Sequence, residues 1–391
     1  MPAPFACRPG GSRGRRFDEA ESPSRTPYQR DRDRVIHSGA FRKLQYKTQV
    51  FIYHEGDYYR TRLTHTLEVA QIARSIARTL ELDEDLAEAI ALAHDLGHTP
   101  FGHAGEDALS GVLQEVDPRC GGFRHNDQTV RVLTLLERRY AAFDGLNLTW
   151  ETLEGVVKHN GPLVLSPAEA AAHPTILALD AAWGLDLARQ PAAEAQVAAL
   201  ADDIAYMNHD IDDGLRAGLF DIADLSDLPL VGPAIASVER LHPGLERRRR
   251  THEIVRRVID RMVGDLVDES RRRISLLAPA DADAIRRAEG PVISFSAGLR
   301  GDEQALRRFL FERMYRHYQV NRETSKARRI VCDLFGLLFR EPICLPGEWQ
   351  TLAVDMADGE RARLVADYIA GMTDRYALLE HQRLFDLSPR L

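Results

Sequence analysis

The segment ALAHDLGHTPFGH gathers His94, Asp95, His98 and His103 in one short stretch. An adjacent His-Asp pair offers one imidazole nitrogen and one carboxylate oxygen, a mixed donor set that suits Mg, Mn, Fe, Co, Ni or Zn. A carboxylate at the buried end of a helix is unfavourable unless it is paired or metal-bound. An Asp95 that caps the helix while His94 faces water explains either residue, but not the pair with His98 and His103 so close behind. His65 adds another imidazole, aimed along the stripe of Val69, Ile72 and Ile76; taken alone it also reads as a core histidine satisfied by backbone or water. Further on, Asp202, Tyr206 and Asp210 stand at i, i+4 and i+8 and share one helical face. That face is offset from Leu200, Ile204, Ile211 and Leu215, so it can border a cavity while the helix stays anchored. Asp212 and Asp213 read instead as solvated acids.

These residues need helices to hold them. From Thr64 to Leu80, and again through Leu86, Ile90 and Ala93, apolar residues recur at helical spacing. Gly97 and Pro100 are expected to close the second helix, the glycine by a left-handed cap and the proline by breaking the hydrogen-bond ladder. Val197, Leu200, Ile204, Ile211 and Leu215 mark a further long helix. Thr251 to Val267 and Glu303 to Val320 repeat the pattern with charge on the opposite side. Strand-like alternation is scarce. Irregular chain is expected over residues 1–27, 120–122 and 162–172 and around Pro279. The fold class is therefore all-α, a single large helical domain over 28–391 behind a flexible basic arm, 1–27. Its metal-site core spans about 60–215 and a C-terminal helical region about 216–391.

The chain has 391 residues, 44% apolar and 28% charged, the balance of an ordinary globular protein. No apolar run approaches the roughly 20 residues that a spanning helix needs, and the Pro/Gly/Arg-rich start lacks the apolar stretch of a secretory signal. A net charge of −8 disfavours non-specific nucleic-acid binding. The run Arg247 to Arg250 reads as a solvated helix face that could still meet phosphates, and binding of single-stranded nucleic acid is not indicated. Four cysteines without a CxxC pair suggest neither a disulfide framework nor a thiolate zinc site, and a reducing cytoplasm fits.

In order, the segments RTRLTHTLEVA, HDLGHTPFGHAGE, FRHNDQ and ADDIAY resemble the H…HD…D signature of HD-domain phosphohydrolases. More specifically, they resemble the deoxyguanosine triphosphate triphosphohydrolase (dGTPase) family. The similarity runs over residues 28–330, with the C-terminal part matching only in helical character and in short pieces such as FERMYRHYQVNR. The resemblance implies an all-α HD fold, a homo-oligomer that is commonly a hexamer, and a divalent cofactor such as Mn or Mg. It implies His65, His94, Asp95 and Asp202 as metal ligands. Asp202 is taken because the family motif places its ligand four residues before the tyrosine, and Asp203 remains the alternative for a rotated helix.

The resemblance also assigns His103 and Glu106 to catalysis. At i and i+3 the carboxylate can orient the imidazole and stabilise its charged form, although Glu106 also reads as an acid facing a helix N-terminus. His125 matches a histidine that some relatives use near the phosphates. Arg62 matches a phosphate-contacting arginine, with pairing to a surface carboxylate as its plain alternative, and Lys158 in VVKHNGP is a second cation by motif position. Gln49 resembles a residue that touches deoxyribose. Tyr206 and Asp210 resemble the wall that crowds C2′ and holds the 3′-hydroxyl, Tyr206 reading otherwise as a core aromatic. The implied reaction is hydrolysis of a deoxynucleoside triphosphate to deoxynucleoside and inorganic triphosphate. The alternatives are an HD nucleotidase on another nucleotide, which the GHAGE segment disfavours, and a non-catalytic nucleotide or nucleic-acid-binding protein. No motif fixes the base preference, the native metal or an activator site.

Overall fold

Regular structure among the residues described, 2–49 and 60–386 of a computed structural model, is helical throughout, with only isolated β-bridges beside the helices. The fold is all-α. Three helices build its centre: Arg62–Thr79, Glu84–Ala93 and Ala193–Arg216 pack pairwise against one another. The first starts from a capping box between Thr61 and Thr64, and the second from the Asp83 carboxylate accepting the Leu86 N–H at 2.9 Å; each cap satisfies an N–H that the helix itself cannot. Their facing stripes are fully buried, with Val69, Ala73 and Ile76 on the first, Leu86, Ala87 and Ile90 on the second, and Val197, Ala201 and Ile204 on the third. Small residues at these contacts let the helix axes approach, which brings polar side chains at the helix ends within reach of one another.

Around this centre the large apolar cluster continues into the helices Trp150–Val157 and Arg247–Leu277. The latter is longer than its periodic stripe and ends at Ala278 in a left-handed conformation, φ 45°. The stretch expected as one helix from Glu303 to Val320 is broken. It consists of Ala297–Leu310, a π-helical turn Phe311–Tyr315, and the start of Tyr318–Arg340. The helix ends after this wide turn, and His317 in an extended conformation precedes the start of the next one; π turns are often found beside functional sites.

A second apolar cluster joins Phe101, Leu109, Leu113 and Phe123 to Val331, Leu334, Phe335, Val365 and Ile369. The C-terminal helices Tyr318–Arg340 and Asp358–Ala370 thereby pack against His103–Val116, the helix that begins at one of the sequence-selected histidines. No described helix is long and apolar enough to cross a membrane.

The basic arm does not fray as expected. Ala3, Phe5, Ala6 and Cys7 are buried, the Ala3 N–H donates to the Glu81 carbonyl at 2.8 Å, and the Cys7 N–H donates to Glu194 at 2.9 Å. Arg13 stacks over the Trp150 ring at 3.8 Å, and Arg15 pairs with buried Asp31 at 2.5 Å. Its anchors are single residues in a Pro/Gly/Arg-rich stretch without periodicity, so no local pattern announces that the arm docks.

Candidate active site

His65 lies on the first turn of Arg62–Thr79, and Asp202 lies midway along Ala193–Arg216. The packing of these two helices brings the His65 Nε2 to 2.9 Å from the Asp202 Oδ1. His94 follows directly on Glu84–Ala93, with its Nε2 3.8 Å from the same carboxylate oxygen and 3.3 Å from the Asp95 Oδ1. The His94 Nδ1 donates to the Ala91 carbonyl at 2.7 Å, which leaves Nε2 as the lone-pair nitrogen, and that buried atom has no hydrogen-bond partner. A buried acceptor without a donor is unfavourable unless something binds it. Ligand atoms of His65, His94 and Asp202 lie within 4.8 Å of one another, a set able to hold a divalent ion.

Burial pushes both carboxyls up, but histidines and Arg62 outweigh it. Asp202 is held well below the usual carboxylate range by His94, His159 and His65, and Asp95 by His94, Arg62 and His98. Both are anionic donors. Asp203, one residue on, turns away and takes the Arg307 guanidinium at 2.6 Å.

Beyond Asp95 the chain turns sharply. Gly97 is needed there for close approach and not for a left-handed cap: its backbone φ is not positive, but a Cβ would fall 2.1 Å from the Thr129 nitrogen and 2.4 Å from the His125 carbonyl. This contact sets His98 face to face with His125, ring centroids 4.0 Å apart. Burial, with the Arg62 charge beside it, keeps His98 neutral, and its Nε2 lies 3.2 Å from the Asp95 Oδ1.

On the other side of this turn His103 and Glu106 open the next helix. The Glu106 carboxylate accepts from the His103 Nδ1 at 3.1 Å, from the His125 Nδ1 at 2.9 Å, and from the His125 backbone N–H at 3.0 Å. Burial opposes ionisation of Glu106, but these bonds hold its carboxyl far below the ordinary range. With Nδ1–H directed at the carboxylate, each imidazole keeps Nε2 as its basic nitrogen. His103 is two-thirds exposed, so that nitrogen is accessible.

Other sequence-selected residues fall around these two groups. Arg62 is buried and pairs with Asp95 at 2.7 Å, so its partner is a buried carboxylate and not a surface one. Gln49, next to the undescribed residues 50–59, has a buried Oε1 without a partner, and its carbonyl oxygen would lie 3.7 Å from a Cβ on Gly102. Tyr206 shares a hydroxyl–hydroxyl bond with Tyr315, which in turn donates to the Asp210 Oδ2 at 2.5 Å. Burial raises the Asp210 carboxyl to about 8.

Lys158 is not brought to either group. Its Nζ is fully buried against Glu154 at 3.2 Å, beside Arg286. Neighbouring positions at a helix end point in different directions, and it is His159 that faces inward, Nε2 3.2 Å from the Asp202 Oδ2 and ring stacked on His94 at 4.8 Å.

Sequence reasoning passed over His159, Glu68, His209 and Tyr315. Glu68 stands at i+3 from His65 and His209 at i+7 from Asp202, spacings that could have singled them out. Tyr315 carries no such signal, because the π turn that aims it breaks the helical period.

Residues 62–207 match the HD domain model, and residues 293–383 match that of a phosphohydrolase-associated domain. A protein of Parvibaculum lavamentivorans is 59% identical over 98% of this chain and 96% of its own length. Proteins of Caulobacter sp. strain K31 and Brucella suis are each 54% identical, over 98% and 100% of this chain and 96% of their own lengths. All three are named deoxyguanosinetriphosphate triphosphohydrolase-like protein. The chain belongs to this dGTPase-like family. It is thus an HD-domain phosphohydrolase, and the dGTPase-like similarity reaches well past residue 330, where the motifs alone ended it. The C-terminal helices are part of the shared architecture, which agrees with their packing under His103–Val116.

Proposed function

We propose that the protein hydrolyses deoxynucleoside triphosphates to the deoxynucleoside and inorganic triphosphate, acting in the cytoplasm as a homo-oligomer. The observation that carries this reading is the adjacency of two groups, His65/His94/Asp202 and His103/Glu106/His125, joined through Asp95 and His98. One suits a divalent cation and the other proton transfer, the combination that phosphate-ester hydrolysis needs.

His65, His94, Asp95 and Asp202 would hold the metal, Mn or Mg among the candidates; the unpartnered His94 Nε2 favours such a fit. When bound, a divalent ion supplies positive charge against the phosphate oxygens. The chain does the rest. Arg62, already opposed by Asp95, adds a buried cation whose Nε has no partner. Glu106 holds His103 and His125 by their Nδ1 atoms, so that the His103 Nε2 can take a proton from the attacking water or give one to the leaving 5′-oxygen. The Glu106 anion stabilises the imidazolium formed in between. Gln49 and the Tyr206–Tyr315–Asp210 chain are the residues we assign to the deoxyribose, with the packed aromatic pair crowding a 2′-hydroxyl.

The test is incubation of the purified chain with each of the four deoxynucleoside triphosphates, singly and mixed, with Mn or Mg, and anion-exchange analysis of the products. Deoxynucleoside plus triphosphate is expected, and activity confined to mixtures would reveal an activator site. Monophosphate plus pyrophosphate, or no turnover with either metal, would overturn the assignment.

A further inference from the structure

Behind the proposed metal ligands runs a short chain of hydrogen bonds. The His65 Nδ1 lies 3.2 Å from the His209 Nδ1, and the His209 Nε2 lies 2.6 Å from the Glu68 Oε2. The rings of His65 and His209 meet edge to face at 5.3 Å, and both are almost wholly buried. Glu68 stands one turn after His65 on its helix, and His209 two turns after Asp202 on the other, so the chain also ties together the two helices that supply these ligands. Arg60 completes it on the outer side, its Nε 3.3 Å from the Glu68 Oε1.

We infer that His209, backed by Glu68, is a positioning residue that fixes the tautomer and ring orientation of His65. The inference rests on the proposed metal role of His65. An imidazole that gives its Nε2 lone pair to a cation carries its proton on Nδ1. That N–H needs an acceptor, and His209 presents its own Nδ1. To accept there, His209 carries its proton on Nε2, where the Glu68 carboxylate takes it. The hydrogen bonds therefore have one direction, from His65 to His209 to Glu68, and each donor meets an acceptor. The partner on the far nitrogen sets the orientation of a ligating histidine and raises its basicity, and loss of such partners weakens metal binding about 10- to 100-fold.

The test uses the full chain freed of metal by chelation and titrated with Mn(II) alone, following the free Mn(II) signal by electron paramagnetic resonance. His209→Ala should weaken Mn(II) binding about 10- to 100-fold. His209→Asn, whose amide oxygen sits where the Nδ1 was, should restore most of that loss. Rescue by an acceptor at that one atom would not follow from a merely space-filling role. Glu68 is about half exposed, so Glu68→Ala leaves the packing intact and should give a weaker version of the same loss even if His209→Ala fails to fold. Unchanged affinity in Glu68→Ala and in folded His209→Ala would overturn the inference, as would an Asn variant no better than Ala. A wild-type chain that takes up no Mn(II) would overturn the metal reading of His65 itself, and this inference with it.

Discussion

Asp374, the first residue of the helix Asp374–Phe385, accepts the backbone N–H of Phe101 at 2.8 Å. Phe101 and Gly102 have positive φ, 63° and 57°, in the turn that carries the chain from His98 to His103. The other carboxylate oxygen of Asp374 takes the Thr48 N–H at 2.9 Å and its hydroxyl, and nearby the Lys47 Nζ bridges the carbonyls of His98 at 2.5 Å and Ala370 at 2.8 Å. Burial lowers the Lys47 ammonium to about 7. The C-terminal helices thus grip the turn on which the spacing of the two groups depends, and they hold a non-glycine residue in a conformation it would not favour alone.

Asp374→Ala should therefore impair both stability and catalysis. It strands two buried N–H groups, at about 1–3 kcal/mol each, and frees the turn before His103. A lower urea midpoint together with a fall in kcat is expected. A variant with wild-type kcat would show that the grip does not position His103.

His103→Ala removes an exposed imidazole whose Nδ1 is hydrogen-bonded to Glu106. Turnover should fall about 10²- to 10⁴-fold, while Mn(II) uptake and the melting temperature stay near wild type. Glu106→Gln should lower turnover too, by loosening both histidines. Activity of His103→Ala close to wild type would remove His103 from the proton-transfer role.

Asp202 and Asp203 separate the two rotations of their helix. Asp202→Asn should abolish high-affinity Mn(II) binding, measured by equilibrium dialysis. Asp203→Asn should preserve it and change stability by at most about 1 kcal/mol, since its pair with Arg307 is part-exposed. The reverse result would make Asp203 the ligand.

Glu194 gives stability a pH dependence of predictable sign. Burial raises its carboxyl from 4.5 to about 7. The folded chain then binds this proton more tightly than the unfolded chain, so its contribution is fully present below the unfolded pKa and is lost as pH rises through about 7. The loss amounts to roughly 3 kcal/mol. Urea titrations from pH 4.5 to 8 should show wild type losing stability relative to Glu194→Gln, and a constant difference would exclude this ionisation.

Taken alone, the sequence specifies most of the helices and part of the candidate site. Apolar residues at helical spacing fix which face of Arg62–Thr79 or Ala193–Arg216 is buried, and hence which side chains lie beside that face. His65, His94 and Asp95 stand out by their place beside such a stripe or within one short motif, whereas the choice of Asp202 over Asp203 and the roles of His103 and Glu106 come from the resemblance of the motifs to the family. What no local pattern contains is the rotation and offset of one element against another. Packing alone determines that His159 and not Lys158 faces Asp202, that Asp203 turns to Arg307, and that His209 backs His65. The N-terminal arm and Asp374 were illegible for the same reason. Each acts through hydrogen bonds to chain far away in sequence, and the energy of such a contact appears in no periodicity, only in the fold that brings its two ends together.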